Sequence, residues 1–284
     1  MRTALRRLIV ALALALAVPA AAHTQPVAYD AVPIDRPDAQ GVLWIKTPPA
    51  APRGVVVVLP GAQMTADRYT WLSEGLAADG YAVVIAEAAL EWRALPAAPD
   101  KTFPARYLMI PHALAALDAA RARWPAAARA NLIAIGHSLG GGIILDMLDP
   151  AEAARNPNTR APAGFAGVDD IAKAVVLGAS LQATGSAFTL PYRSDTRALH
   201  RPARTKILMI AGEHDGMATP ELMRKTAARY TPPLEVRVIA GANHLGWSAG
   251  RGPMDRPDLD KPATITDDEQ NRRTLEAIRA FLAS

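Results

Sequence analysis

Cysteine is absent from the 284 residues, and its absence excludes disulfide bonds, cysteine nucleophiles and thiolate metal sites. The chain also lacks an H-E-x-x-H motif or another cluster with metal-ligand spacing, so a metallohydrolase is not expected. A basic stripe with interleaved aromatic residues is missing too, which argues against a nucleic-acid partner. The formal charge of +4 falls to about +1 without the first 22 residues, which carry three arginines and no acidic residue. Net charge therefore favours no particular class of partner.

A long apolar run occurs only near the N-terminus, where three arginines precede residues 8–18. This run is too short to cross a bilayer comfortably, and small residues ending at Ala22 follow it. The pattern predicts a secretory signal peptide over residues 1–22, cleaved after Ala22, with an uncleaved N-terminal anchor as the alternative. We therefore expect residues 23–284 to form a single periplasmic or secreted domain without stable membrane association.

Short apolar runs alternate with segments of helical spacing along the rest of the chain. Residues 55–59 are apolar at every position, which is typical of a strand covered on both faces of a parallel sheet. Strands that alternate with helices imply right-handed crossovers and a mainly parallel central sheet with helices on both faces. The predicted strands are 42–47, 55–59, 81–86, 132–135, 174–177, 206–211 and 234–240, and the predicted helices are 66–78, 107–123, 138–148, 220–230 and 267–282. We predict an extended arm at 23–40, a loop at 87–104, a surface insertion at 149–170 and an irregular segment at 181–204.

The sequence Gly136-His137-Ser138-Leu139-Gly140 lies between a predicted strand and a predicted helix. It fits the G-x-S-x-G pattern of a nucleophile held at a sharp strand-to-helix turn. The glycines two residues before and after the serine let strand and helix approach, and the serine hydroxyl stands at the positive end of the helix. Ser138 is therefore the predicted nucleophile, and His137 is expected to pack beneath the turn.

A serine nucleophile needs a base, and the base needs an acid that orients it. In folds with this turn the chain order is serine, acid, histidine. Asp215 follows the strand 206–211 and His244 follows the strand 234–240, so both lie at C-terminal strand ends in that order. Glu213 is the competing acid, but Asp215 is favoured because Gly216 suits a tight turn.

Hydrolysis through a tetrahedral intermediate also needs N–H groups aimed at its oxyanion. One donor is expected from Leu139, the residue after the nucleophile, and the other from the loop that follows residues 55–59. In that loop Gly61 lets the backbone turn, and either Ala62 or Gln63 offers the N–H. Ala62 is the favoured donor.

Together these motifs resemble the α/β-hydrolase superfamily, and more narrowly its dienelactone-hydrolase-like and chlorophyllase-like carboxylesterase branch. The resemblance implies an α/β-hydrolase fold with small lid-like insertions, a Ser138–His244–Asp215 triad and no cofactor. In two respects the chain departs from the branch: Pro60 stands where many relatives have histidine, and a serine stands where dienelactone hydrolases proper have cysteine, which argues against a strict dienelactone substrate. The resemblance runs from about residue 54 to the C-terminus and rests on Pro60-Gly61-Ala62, residues 69–86, Gly136–Gly141, and residues 211–220, 241–247 and 263–282.

The expected activity is hydrolysis of a small-molecule or polymeric carboxylic ester through an acyl-enzyme intermediate. An amidase, a thioesterase or a polyester depolymerase would use the same site, because a fold does not fix its substrate. A non-catalytic binding protein that kept the fold is the alternative outside the enzymes. Gln63 and Trp247 adjoin predicted catalytic elements and are predicted to contact the substrate. Further candidates for the pocket wall or for binding an acidic substrate are Met64, Trp71, Trp92, Tyr192, Arg193, Arg197 and Arg201.

Export of the full-length chain from a bacterial host tests the predicted cleavage site. Because the small residues end at Ala22, the exported protein should begin at His23. Mass spectrometry of its N-terminal peptide measures this directly. An exported protein that keeps its first 22 residues would instead support the uncleaved anchor.

Overall fold

The computed structural model describes residues 29–95, 98–156, 159–179, 181, 197–249 and 260–284, and the side chains of residues 91–105 lie outside the description. The predicted signal peptide, Tyr192 and Arg193 also lie outside the described residues, as does the side chain of Trp92. Within the described part of the chain, no helix is both long and apolar enough to cross a membrane.

An eight-stranded sheet forms the centre of the molecule, in the order β1-β2-β4-β3-β7-β8-β9-β10. The β1–β2 and β2–β4 pairs are antiparallel, and every other neighbouring pair in this sheet is parallel. Strands β5 and β6 form a separate antiparallel hairpin. The strands are β1 Asp30–Arg36, β2 Ala39–Lys46, β3 Val55–Leu59, β4 Ala82–Ala88, β5 Glu91–Leu95, β6 Ala98–Ala105, β7 Leu132–His137, β8 Lys173–Leu177, β9 Lys206–Gly212 and β10 Glu235–Ile239.

Helices cover both faces of the sheet, as the continuous apolar strands predicted. All five residues of β3 are buried, and alternate residues face different layers: Val55 and Val57 belong to one apolar core, Val56 and Val58 to the other. The first core includes buried residues of α2, α4 and α6, and the second includes those of α1 and α7. The helices are α1 Thr70–Ala78, α2 Ile110–Arg123, α3 Pro125–Ala130, α4 Leu139–Leu148, α5 Pro150–Arg155, α6 Pro220–Ala227 and α7 Asp267–Ala283, with short 3-10 helices at Ala66–Tyr69 and Leu245–Ser248.

Three segments predicted to be irregular contain regular structure. The predicted arm at 23–40 contains β1, whose mostly exposed residues occupy the sheet edge, where Pro33 is tolerated. The predicted loop at 87–104 contains the hairpin of β5 and β6. The predicted surface insertion at 149–170 begins with α5, whose Glu152 is fully buried.

Arg197 explains the burial of acidic residues next to α5. Its guanidinium contacts the carboxylates of Asp149 and Glu152, so this candidate for binding an acidic substrate is paired with two carboxylates of the protein itself. An ion pair of this kind is needed because an isolated buried carboxylate is strongly unfavourable.

Candidate active site

Ser138 occupies the sharp turn between β7 and α4. Its φ of 52° and ψ of −117° lie outside the regions that side-chain-bearing residues normally adopt, at a cost of about 1–3 kcal/mol. The Ser138 N–H donates to the carbonyl oxygen of Leu177 at 2.9 Å, which fixes the turn to the neighbouring strand β8. The residue remains partly exposed. The turn therefore presents its hydroxyl at the C-terminal edge of the sheet.

Glycines at positions 136 and 140 make this turn possible. A Cβ at Gly136 would lie 2.5 Å from the carbonyl carbon of Gly140, and one at Gly140 would overlap the carbonyl oxygen of Leu59. Both obstacles are backbone atoms, which cannot rotate away. Gly142 is different, because nothing lies within 4 Å of a Cβ built there.

Asp215 and His244 form a buried pair beside this turn. The His244 Nδ1 lies 2.8 Å from the Asp215 Oδ2, and their side chains are only 3% and 0% exposed. The other carboxylate oxygen accepts the backbone N–H groups of Met217 at 2.9 Å and Ala218 at 2.6 Å. With Nδ1 donating to the carboxylate, Nε2 is left as the basic nitrogen of the imidazole.

The surroundings of His244 act on its pKa in opposite directions. Burial lowers the pKa, whereas the charge of Asp215, its hydrogen bond and the charge of Asp260 raise it. The carboxylates prevail, so the pKa of His244 lies above its ordinary value. A positive charge on this imidazole is therefore stabilised by the two carboxylates.

Asp260 holds the backbone of the histidine loop, a role that the sequence did not reveal. Its two carboxylate oxygens accept the N–H of His244 at 2.9 Å and the N–H of Leu245 at 3.0 Å. Burial raises the pKa of Asp260. No motif marks this residue, and its position follows only from the folded path of the chain.

Gly178, directly after β8, leaves room for the Asp215–His244 pair. Its φ is 50°, and a Cβ there would lie 2.8 Å from Asp215 Oδ2 and 3.0 Å from His244 Nδ1. Any side chain would therefore intrude on the hydrogen bond between them. The one signal in the sequence for this role is a glycine directly after a predicted strand.

The imidazole of His244 lies close to the turn that carries the serine. Its ring centroid is 4.8 Å from that of His137, the residue before Ser138. Among the described residues, the Ser138 hydroxyl makes no hydrogen bond to the imidazole. Such bonds are often long without substrate and tighten in the reacting complex.

The N–H groups of Ala62 and Leu139, both near Ser138, have no hydrogen-bond partner within the described residues. Leu139 is the first residue of α4, where backbone N–H groups lack partners inside the helix. In the loop after β3, the Gly61 N–H donates to the Tyr69 hydroxyl and the Gln63 N–H to the Arg106 carbonyl, each at 2.9 Å. Of the two donors left open by the sequence, Ala62 is thus the one whose N–H remains available.

Gln63 and Trp247 differ in what they offer a substrate. Gln63 is partly exposed, its Oε1 accepts the Arg106 N–H at 2.9 Å, and its Nε2 has no hydrogen-bond partner in the described part of the chain. Trp247 is fully buried, and its Nε1 donates to the Thr274 hydroxyl at 2.9 Å. The structure gives Trp247 a packing role against His137, and its contact with substrate stays a prediction.

The competing residues are placed elsewhere. The half-exposed side chain of Glu213 accepts the Gly241 N–H at 2.8 Å, and His214 is 4.0 Å from Glu213. Neither has a hydrogen bond to His244 among the described residues. The described residues contain no group of three or more histidines or carboxylates that could hold a metal ion.

No family model matches the chain, and no curated protein does. Solved structures match it in fold: the apo form of esterase 2 from Thermogutta terrifontis has a TM-score of 0.57 at 16% identity, over 92% of this chain and 96% of that one. The same esterase phosphoramylated by tabun gives 0.52 at 15% identity, over 92% and 96%. An α/β serine hydrolase without lid from Xanthomonas campestris gives 0.52 at 13% identity, over 90% and 96%. The chain therefore has the predicted α/β-hydrolase fold.

A pair of glycine substitutions tests the geometry of the turn. Gly140→Ala should destabilise the protein by about 2 kcal/mol or more, because its methyl group meets backbone atoms. Gly142→Ala, two residues along the same helix, should stabilise it by about 0.5–1 kcal/mol, because it has open space and alanine favours a helix. Urea unfolding of both variants measures the difference, and equal effects would contradict the described turn.

Proposed function

We propose that the protein is a serine hydrolase that cleaves carboxylic esters, with Ser138 as nucleophile, His244 as base and Asp215 as orienting acid. The observation that carries the proposal is the buried Asp215–His244 hydrogen bond of 2.8 Å beside the strained, partly exposed Ser138. The predicted signal peptide further supports action in the periplasm or outside the cell.

The first step forms an acyl-enzyme. The Ser138 Oγ attacks the ester carbonyl carbon while its proton passes to His244 Nε2. The carbonyl oxygen gains the negative charge and accepts the N–H groups of Ala62 and Leu139. As the intermediate collapses, the C–O bond to the leaving group breaks, and the departing alkoxide takes the proton from Nε2 to leave as an alcohol.

The second step returns the free enzyme. Water attacks the acyl carbon and gives a proton to His244 Nε2. The bond to Ser138 Oγ then breaks, the serine recovers the proton, and the carboxylic acid leaves. Asp215 keeps its charge throughout, holds the Nδ1–H tautomer and stabilises the imidazolium.

Ser138→Ala tests the nucleophile. With p-nitrophenyl esters of graded acyl length, kcat should fall by about 10⁴- to 10⁶-fold. Without the serine hydroxyl the acyl-enzyme cannot form, so His244 and Asp215 have no nucleophile to activate. Ser284→Ala, at the exposed C-terminus, should retain wild-type turnover. A fluorophosphonate should add to Ser138 in the wild type, as located by peptide mass spectrometry, and should not label Ser138→Ala.

The outcomes also separate the alternative functions. Turnover of amides or thioesters in preference to esters would reassign the same site to an amidase or thioesterase. A protein that neither hydrolyses these substrates nor reacts with the fluorophosphonate would be a binding protein. Undiminished turnover by Ser138→Ala would refute the triad.

The pH dependence of kcat/KM tests the acid. Hydrolysis needs neutral His244, whose pKa is raised, so the acid limb of the wild-type profile should have its midpoint above 6.5. Asp215→Asn should lower kcat by about 10⁴-fold. Since burial then acts on His244 with less opposition, the limb of the residual activity should move to lower pH.

Glu213→Gln is the matched control, because its amide oxygen can still accept the Gly241 N–H. It should retain wild-type kcat and the wild-type acid limb. A large loss in Glu213→Gln together with a small one in Asp215→Asn would exchange the two assignments.

A further inference from the structure

A chain of buried hydrogen bonds connects three parts of the proposed active site. The Tyr69 hydroxyl accepts the Gly61 N–H at 2.9 Å and lies 2.8 Å from His137 Nδ1. The other ring nitrogen of His137 lies 3.1 Å from the carbonyl oxygen of His244. Tyr69 and His137 are 1% and 2% exposed, so water does not compete for these groups.

The acceptors fix the direction of every hydrogen bond. A carbonyl oxygen only accepts, so His137 Nε2 carries the hydrogen that it donates to His244. Burial first, and the charge of His244 second, hold the pKa of His137 well below its usual range, so its Nδ1 is unprotonated. Nδ1 therefore accepts from the Tyr69 O–H, and the same hydroxyl oxygen accepts from Gly61.

The residues linked by these hydrogen bonds adjoin groups that the proposed mechanism uses. Gly61 immediately precedes Ala62, the proposed oxyanion donor, and His137 immediately precedes the nucleophile. The His244 carbonyl belongs to the base itself. A Cβ at Gly61 would lie 3.2 Å from His137 Nδ1 and 3.4 Å from Ser138 Cβ. The loop after β3 that contains Gly61 and Ala62, here called the oxyanion loop, therefore packs directly on the turn.

We propose that Tyr69 and His137 are positioning residues that hold the oxyanion loop, the nucleophile and the base in register. This inference rests on the proposed function and deepens it. His244 is held at three polar groups. Its carbonyl oxygen accepts from His137, its backbone N–H donates to Asp260, and its imidazole donates to Asp215. Preorganised donors stabilise charge that develops in the transition state, so the chain acts on kcat more than on substrate binding.

Tyr69→Phe tests the inference because it removes the hydroxyl and keeps the ring. For a p-nitrophenyl ester, kcat should fall by about 10- to 100-fold, less than the 10²- to 10³-fold typical of losing an oxyanion donor outright. KM should stay within about twofold of the wild type, since ground-state binding does not use the oxyanion donors. Affinity for an aryl boronic acid, which forms a tetrahedral adduct, should fall by the same factor as kcat.

Tyr230→Phe is the matched control. Tyr230 is also buried, at 2% exposure, and its hydroxyl has no hydrogen-bond partner in the described part of the chain. This variant should show wild-type kcat and boronate affinity, whatever its effect on the melting temperature. If Tyr69 had only a structural role, the activity of Tyr69→Phe would fall only in proportion to its loss of folded protein, as in Tyr230→Phe.

Two substitutions of His137 test its hydrogen bond to the His244 carbonyl, and they keep the inference testable if Tyr69→Phe does not fold. His137→Gln keeps an amide N–H that can donate to the His244 carbonyl, whereas His137→Phe keeps only the volume. We expect His137→Gln to retain kcat at least tenfold above that of His137→Phe, with similar KM values. Equal kcat in the two would overturn the role assigned to His137.

The test separates this inference from the proposed function. If the wild-type protein is active and Tyr69→Phe matches it in kcat and boronate affinity, the inference is overturned and the proposed triad stands. A wild type that neither hydrolyses esters nor accepts a fluorophosphonate on Ser138 would overturn both.

Discussion

The site depends on keeping a carboxylate charged in a place that water does not reach. Asp215 is buried, and an isolated carboxylate there would be strongly unfavourable. The fold supplies two backbone N–H groups to one oxygen and the His244 imidazole to the other. Gly178 contributes by having no side chain, because a Cβ would crowd both partners. Removing one member of such a pair typically costs about 3–5 kcal/mol, so the same contact serves the fold and the proposed chemistry.

Much of this arrangement follows from local sequence rules. The five consecutive apolar residues of β3 predict a strand covered on both faces, and the sheet places it at its centre. Parallel strands bring their C-terminal ends to one edge, so residues after β7, β9 and β10 could be expected to meet there. The G-x-S-x-G spacing predicts the turn at Ser138, since its two outer glycines face backbone atoms. The contact between Asp215 and His244 was predictable because both residues follow the C-terminal ends of parallel strands.

Other parts depend on contacts between distant segments, which leave no local pattern. Tyr69, in the 3-10 helix that follows β3, and His137, at the end of β7, are 68 positions apart in sequence, and they come together because β3 and β7 are neighbours in the sheet. The position of His137 within the G-x-S-x-G turn predicted that its side chain packs beneath the turn, but not that it hydrogen-bonds to Tyr69. Asp260 likewise reaches His244 from a segment without a recognisable motif. Strand β1 was missed because edge strands are mostly exposed and tolerate proline, so their sequences resemble an extended arm.

A crystal structure of the protein after reaction with a fluorophosphonate tests the central claim most directly, because the adduct mimics the tetrahedral intermediate. We expect a phosphorus–oxygen bond to Ser138, a phosphonyl oxygen within about 3.1 Å of the N–H groups of Ala62 and Leu139, and His244 Nε2 facing the Ser138 oxygen. An adduct on another residue, or a phosphonyl oxygen turned away from both N–H groups, would contradict it.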